Sequence, residues 1–268
     1  MIGEGKILLC MQCFPGDQAQ AIALSRLIAD LEPAKCQYAD FAWLIRFDCT
    51  PDSIPTDHLT PKFDRVYVIK GARRVTGWPQ GCNAMVMDLM AYIQSRKDWN
   101  YDAIMLMEAD CLPLRASWIK ELLTEWQFGA HLSAGPYLVL GDWIGGRDIS
   151  ASHLNGNLLF SPRLLSTIRP CWNSSVVSNV AWDAEWWRRY AKYTRASRLI
   201  FSDYRIGTPS KPWQGCEYLW APKIHSTNKT NPLYGVPLQP CWLHGCKDPR
   251  GIECVRSRLN LTEVYSLP

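Results

Sequence analysis

Two carboxylates stand where an apolar run ends, in Tyr101-Asp-Ala-Ile-Met-Leu-Met-Glu-Ala-Asp-Cys-Leu-Pro-Leu114. The run Ala103 to Met107 has the length and apolarity of a central strand covered on both faces, and Pro113 is expected to stop it. Glu108 and Asp110 then fall at the strand's carboxyl end, the edge at which open α/β sheets bind their ligands. In an extended chain, side chains at i and i+2 share a side, so both carboxylates would face one ligand across the small Ala109. Two hard oxygen donors suit Mg2+ or Mn2+, and such a cation suits a substrate that carries a diphosphate. The plain alternative is an acidic pair capping a helix that starts near Ser117, which needs only water.

A second group of chemically able residues comes late, in Cys241-Trp-Leu-His-Gly-Cys-Lys-Asp248. The imidazole of His244 is an acceptable Mn2+ ligand, and Lys247 supplies a point charge for phosphate. His225, flanked by Lys223 and Lys229, is the rival. Cys216, Cys241, Cys246 and Cys254 surround these histidines, but their spacings match no CxxC pair of a common zinc module. The one true CxxC, Cys10 to Cys13, lies across an expected first strand.

The elements that must position these groups alternate. Lys6 to Met11 is a short apolar strand; Cys13-Phe-Pro-Gly-Asp17 follows, with Asp17 as N-cap of a helix from Gln18 to about Leu31, leaving backbone amides free above the strand. Phe41 to Phe47 and Arg65 to Lys70 are the next strands, and strands alternating with helices argue for a mainly parallel sheet. Between the third strand and a helix running through Ile93 lies Gly71-Ala-Arg-Arg-Val-Thr-Gly-Trp-Pro-Gln-Gly-Cys-Asn83. Arg73, Arg74 and a helix N-terminus opening at Asn83 suit an anion, although the same composition makes an ordinary surface loop.

Beyond a helix from Ser117 to Gln127, Ala130 to Leu140 reads as a strand and Gly141 to Asp148 as a loop. The polar run Ser152-His-Leu-Asn-Gly-Asn157 then enters an apolar strand, where Asn155 and Asn157 are costly to bury without partners and Gly156 allows close backbone approach. Ala181-Trp-Asp-Ala-Glu-Trp-Trp-Arg-Arg-Tyr190 opens a helix expected to run toward Arg198, with Asp183 and Glu185 in its first turn and basic residues after them, as the helix dipole favours. Leu199 to Phe201 reads as a further strand.

The 268 residues suffice for a large core, and no linker or charge run divides them, so one α/β domain over residues 1–268 is expected. Lys and Arg exceed Asp and Glu by 29 to 25, a mild excess compatible with an anionic partner. No apolar stretch of about 18 residues occurs and Met1 opens no signal sequence, so a cytoplasmic protein without a membrane partner is expected. An odd count of 11 cysteines, several within apolar runs, fits reduced buried thiols, and the sequons at Asn173, Asn228 and Asn260 would matter only in a secretory lumen.

The strand followed by Glu-Ala-Asp resembles the DxD motif of nucleotide-sugar glycosyltransferases with the GT-A fold, with Glu in place of the first Asp. The order of the remaining segments, from about Lys6 to Asp248, is similar too. The resemblance implies a Rossmann-like, mostly parallel sheet flanked by helices with an irregular C-terminal part, residues 1–115 binding the nucleotide sugar and 116–268 the acceptor. It implies Mn2+ or Mg2+ on Asp110 and His244, with Glu108 the weaker ligand, and a UDP-sugar donor. Cys13, Phe14 and Asp17 would hold its base, Arg73, Arg74 and Asn83 would serve the sugar nucleotide, and Lys247 would meet its diphosphate. Asn155 and Asn157 would line the site for donor sugar and acceptor, and Asp183, with Glu185 as substitute, would be the catalytic base. The 13 tryptophans, the mild positive charge and the basic stretch Arg188, Arg189 and Lys192 resemble the phage and kinetoplastid enzymes that glucosylate hydroxymethylated bases in DNA. A glycan or protein acceptor is the alternative, and a non-catalytic sugar- or nucleotide-binding module the alternative from another class.

Overall fold

The structure is a computed structural model that describes residues 5–129, 133–135, 137–139, 152–154, 156–164, 180–183, 193–202, 224–225 and 237–261. Strands β1 (Ile7–Cys13), β2 (Ala39–Ile45), β3 (Val66–Lys70) and β4 (Ala103–Met107) are all parallel, in the spatial order β3-β2-β1-β4. β1, β2 and β4 are buried throughout. This is what uninterrupted apolar runs demand of a sheet covered on both faces.

Alternation divides the core in two. Ile7, Leu9 and Met11 join Phe41, Trp43, Met105 and Met107 on one face, under helix α1 (Gln18–Leu31) and helix α3 (Trp118–Gly129). Leu8 and Cys10 join Leu44, Ile104 and Leu106 on the other, under helix α2 (Gln80–Ser95). Cys10 and Cys13 therefore belong to different clusters on opposite faces, and their spacing cannot close around one metal.

The sheet continues beyond β4. β9 (Leu159–Phe160) pairs antiparallel with both β4 and β6 (Ser133–Gly135), and β10 (Thr194–Ala196) closes the seven-stranded edge. β5 (Cys111–Pro113), β14 (Trp242–His244) and β11 (Ile200–Ser202) make a second sheet of three strands. Two small pairs, β7 (Tyr137–Val139) with β8 (Ser152–Leu154) and β12 (Ile224–His225) with β13 (Pro237–Leu238), complete the strands described, and helix α4 (Arg250–Arg258) ends that part of the chain.

Several expectations are corrected. Pro113 does not stop the apolar run; β4 has already ended at Met107, and Pro113 lies within β5, opposite Trp242. Helix α2 opens at Gln80 rather than Asn83, because the Asn83 amide already donates to the Pro79 carbonyl at 2.9 Å. The expected helix from Ala181 does not reach Arg198, since Thr194–Ala196 is a strand laid against β6. Within the expected strand Ala130 to Leu140, Ser133–Gly135 and Tyr137–Val139 are strands β6 and β7 of different sheets, and the other residues of that stretch lie outside those described. Gly141 to Asp148 lies outside the described residues.

Candidate metal centre at the carboxyl edge

β1 leads through β2 to β3 on one side, while β4 lies on the other side of β1. The crevice between the carboxyl ends of β1 and β4 is thus a topological switch point, where the loops leaving the two strands diverge and leave room for a ligand. The loop after β1 ends at Asp17, and the turn after β4 carries Glu108 and Asp110.

The two acids converge for a reason other than strand alternation. Ala109 and Asp110 form a turn, closed by the Cys111 amide donating to the Glu108 carbonyl at 3.2 Å. The second sheet then brings the third group. Register pairs His244 with Cys111 on one side and with Ser202 on the other, and the Gly245 and Cys246 amides donate to the Asp110 carbonyl at 3.1 and 2.8 Å. Gly245 makes this tight return at φ 100°, a left-handed backbone that favours glycine.

The outcome is a cluster of Glu108, Asp110 and His244 whose ligand atoms all lie within 4.8 Å of one another. His244 Nε2 is 3.3 Å from Glu108 Oε2 and 3.4 Å from Asp110 Oδ1, and its Nδ1 meets Ser202 Oγ at 3.0 Å. Nδ1 is taken up by Ser202 while Nε2 is turned toward both carboxylates, so a cation among the three groups would find a ligand atom of each within reach. Asp110 is 4% exposed, and its Oδ1 is sealed from solvent without receiving a hydrogen bond. A buried carboxylate oxygen left in this way lacks a partner that Mg2+ or Mn2+ would provide, so the three donors fit such an ion.

Lys247 pairs with Asp110 Oδ2 through an ammonium whose side chain is 52% exposed. Burial pulls the Glu108 carboxyl upward, but the His244 hydrogen bond and the charges of His244 and Lys247 outweigh it and leave Glu108 below its usual range. Asp17 is pushed up to about 7, first by burial and, against the opposing Phe14 amide, by the Glu108 and Asp110 carboxylates. The Cys82 thiol, in the first turn of α2, is pushed up to about 12, first by burial and then by the charges of Glu108, Asp183 and Asp17.

Other expected site residues have mixed placements. Asp17 does not cap α1 with its side chain; its Oδ1 instead accepts the Phe14 amide at 2.9 Å and shapes the loop after β1. Phe14 is exposed at the crevice rim, with the Arg46 guanidinium 5.3 Å from its ring centre. Cys13 is fully buried in the core, so its side chain does not reach the rim. Arg73 is engaged by Asp88, which also accepts the Ala72 and Arg73 amides at 2.8 and 3.0 Å, while Arg74 is exposed. Asn83 is fully buried and binds across to another segment, its Nδ2 donating to the Val180 carbonyl at 3.0 Å and its Oδ1 accepting the Trp182 amide at 2.8 Å. Asp183 is buried, with Oδ2 accepting the Gly156 amide at 2.8 Å. Asn157 is fully buried behind the acidic turn. Asn155, Glu185, Arg188, Arg189, Lys192 and Cys216 lie outside the described residues, as does the side chain of His225. Sequence reasoning passed over Ser202, because nothing local marks a serine that becomes a histidine's neighbour only through strand register. No helix among the described residues is long and apolar enough to cross a membrane.

No protein-family model matches the sequence, and comparison with curated proteins gives no match. Solved structures do match. An active-site mutant of LgtC superimposes with a TM-score of 0.57 at 10% identity, over 96% of this chain and 98% of that one. The galactosyltransferase LgtC in complex with donor and acceptor sugar analogues gives 0.53 at 11%, again over 96% and 98%. The ligand-free bifunctional glycosyltransferase WbbM gives 0.56 at 8%, over 95% of this chain and 50% of that one. At these identities the likeness carries the architecture alone: the chain is folded as GT-A glycosyltransferases are, with a mixed α/β arrangement around a mostly parallel sheet.

Proposed function

We infer that the chain is a metal-dependent glycosyltransferase that moves a hexose, such as glucose, from a UDP-sugar to a hydroxyl acceptor. The observation that carries this reading is the convergence of Glu108, Asp110 and His244 at the switch point, with a buried Asp110 oxygen lacking a donor. When bound there, Mn2+ or Mg2+ would supply Lewis-acid stabilisation of the departing diphosphate, where most charge develops. Asp110 and His244 would hold it, with Glu108 as the more exposed third ligand. Lys247 pairs with Asp110 and is half in solvent, so it can exchange that partner for a phosphate oxygen once a cation satisfies the carboxylate. Phe14 and Arg46 offer a face and a charge on which a base can stack, beside Asp17. Arg74 supplies an exposed charge on the neighbouring loop. Asp183, oriented by the Gly156 amide, is the group we assign to accept the acceptor's proton if the reaction inverts the sugar.

On the acceptor side the tryptophans give less than their number promises. Trp43, Trp118 and Trp242 are fully buried and Trp182 nearly so; among the described tryptophans Trp78 alone is largely exposed, at 67%, on the loop after β3. A saccharide hydroxyl needs no more than one such platform, and LgtC has been captured with donor and acceptor sugar analogues, so we take a sugar as the acceptor. A hydroxymethylated base in DNA is the second reading, favoured by the net charge of +4 together with Trp78. Mass spectrometry of reactions with Mn2+ and UDP-glucose or UDP-galactose, offered oligosaccharides or hydroxymethylcytosine DNA, tests both. Gain of one hexose by the oligosaccharide supports the first reading, and gain by the DNA at low salt supports the second. Tight UDP-sugar binding without turnover of any acceptor or water would make the chain a binding module. Transfer undiminished by excess EDTA would refute the metal role.

A further inference from the structure

Asn157, expected from sequence to face a substrate, is spent on the protein itself. Its Oδ1 accepts the Glu108 amide at 2.7 Å and the Cys111 thiol at 3.2 Å. Those two donors stand at opposite ends of the four-residue turn that carries both acids. We propose that Asn157 is a positioning residue of the metal centre, its carboxamide oxygen stapling the Glu108–Cys111 turn so that Glu108 and Asp110 converge with His244 on one cation. The proposal rests on the metal-dependent reading above and adds to it the device that sets the ligand geometry.

The staple acts on the part of the turn that other contacts leave alone. The Cys111 amide holds the Glu108 carbonyl and the Gly245 and Cys246 amides hold the Asp110 carbonyl, whereas Asn157 takes the Glu108 amide, beside a carboxylate whose side chain is 38% exposed. The staple is also anchored on both sides. After Asn157, the Leu106 amide donates to the Leu158 carbonyl at 3.0 Å and β9 joins β4. Before it, the Gly156 amide is held by Asp183, and a β-carbon at Gly156 would come within 3.1 Å of the Trp182 ring. Asn83 ties Val180 and Trp182 to α2 in turn. A chain of buried amides and one carboxylate thus runs from α2 to the metal turn.

The test is Mn2+ titration of the full chain, followed by the electron paramagnetic resonance signal of the free ion, with a thermal melt of each variant. Asn157→Leu removes the staple, and Asn157→Gln keeps the amide but displaces its oxygen by a methylene. Both are expected to bind Mn2+ about 10- to 100-fold more weakly than wild type, the usual effect of losing a residue that orients a ligand. Leu158→Ala, a buried neighbour without a polar atom, is expected to lower Tm and keep its Mn2+ affinity. If Asn157→Leu fails to fold, Asn157→Gln carries the comparison. Unchanged affinity in a folded Asn157 variant overturns the staple, as does an equal loss in Leu158→Ala. A wild-type protein that binds no Mn2+ would overturn the metal centre itself, an outcome distinct from either.

Discussion

Asp110→Asn separates the metal role of this carboxylate from any role in stability. The side chain is 4% exposed, with Oδ1 lacking a hydrogen bond and Oδ2 facing Lys247. Neutralising it relieves a buried, unsatisfied charged oxygen, worth about 1–3 kcal/mol. It also loses the pair with Lys247, but that ammonium is half in water already, so the loss is near the surface value of about 0–1 kcal/mol. The metal-free variant should therefore equal wild type or exceed it by up to about 3 kcal/mol. With Mn2+ the order reverses. At a concentration 100 times its Kd, the ion stabilises wild type by about 2.7 kcal/mol, a rise in Tm of roughly 5–10 °C. A variant binding 100-fold more weakly gains only about 0.4 kcal/mol at the same concentration. Calorimetry with EDTA and with Mn2+ measures both halves of the prediction. Equal Mn2+ shifts in variant and wild type would refute Asp110 as a ligand, and a metal-free variant several kcal/mol less stable would refute the account of its burial.

Three further outcomes follow from the geometry. Asp183→Asn retains an oxygen for the Gly156 amide, so Tm should hold while single-turnover transfer falls about 100- to 10,000-fold if Asp183 takes the proton; normal transfer would pass the role to Glu185 or to a reaction with no such base. Asn83→Ala leaves the Val180 carbonyl and Trp182 amide without a partner they now have, at a cost of about 2–4 kcal/mol by urea unfolding, and a loss below about 0.5 kcal/mol would remove Asn83 as the tie to that segment. His58 donates Nε2–H to Ser25 Oγ, whose own hydroxyl goes to the Ile22 carbonyl, and burial followed by Arg26 lowers His58 from 6.5 to about 4. The folded state then holds fewer protons than the unfolded chain between pH 4 and 6.5, so this stability is present above 6.5 and is lost as pH falls through that window. The ceiling of about 3 kcal/mol drops to about 1–2 for a half-buried ring, and wild type should lose that much more than His58→Gln between pH 7 and 4; parallel losses in the two proteins would contradict it.

The sequence by itself determined the local pieces. Short continuous apolar runs bounded by turn residues fit strands covered on both faces, and β1, β2 and β4 appear within a few residues of where the pattern puts them, with Glu108 and Asp110 past the end of β4. The His-Gly-Cys-Lys run was legible through its resemblance to a late element of metal-dependent GT-A enzymes, since a lone histidine by residue type alone is more often a core or surface residue. What pattern could not decide is which distant segments meet. Asp17 and the acidic turn share a crevice because β4 docks beside β1 instead of beyond β3, a choice of strand order that no local period encodes. His244 reaches the carboxylates, and Ser202 reaches His244, through the register of a second sheet that pairs Leu112 with Leu243, residues far apart in the chain. The acids converge through a turn rather than through strand alternation, and Asn83 and Asn157 are fully buried and bonded to backbone groups, because a buried amide is satisfied by whichever backbone groups the fold brings near. Residue type and spacing decide what a side chain is able to do; its partners, which are tertiary, decide what it does.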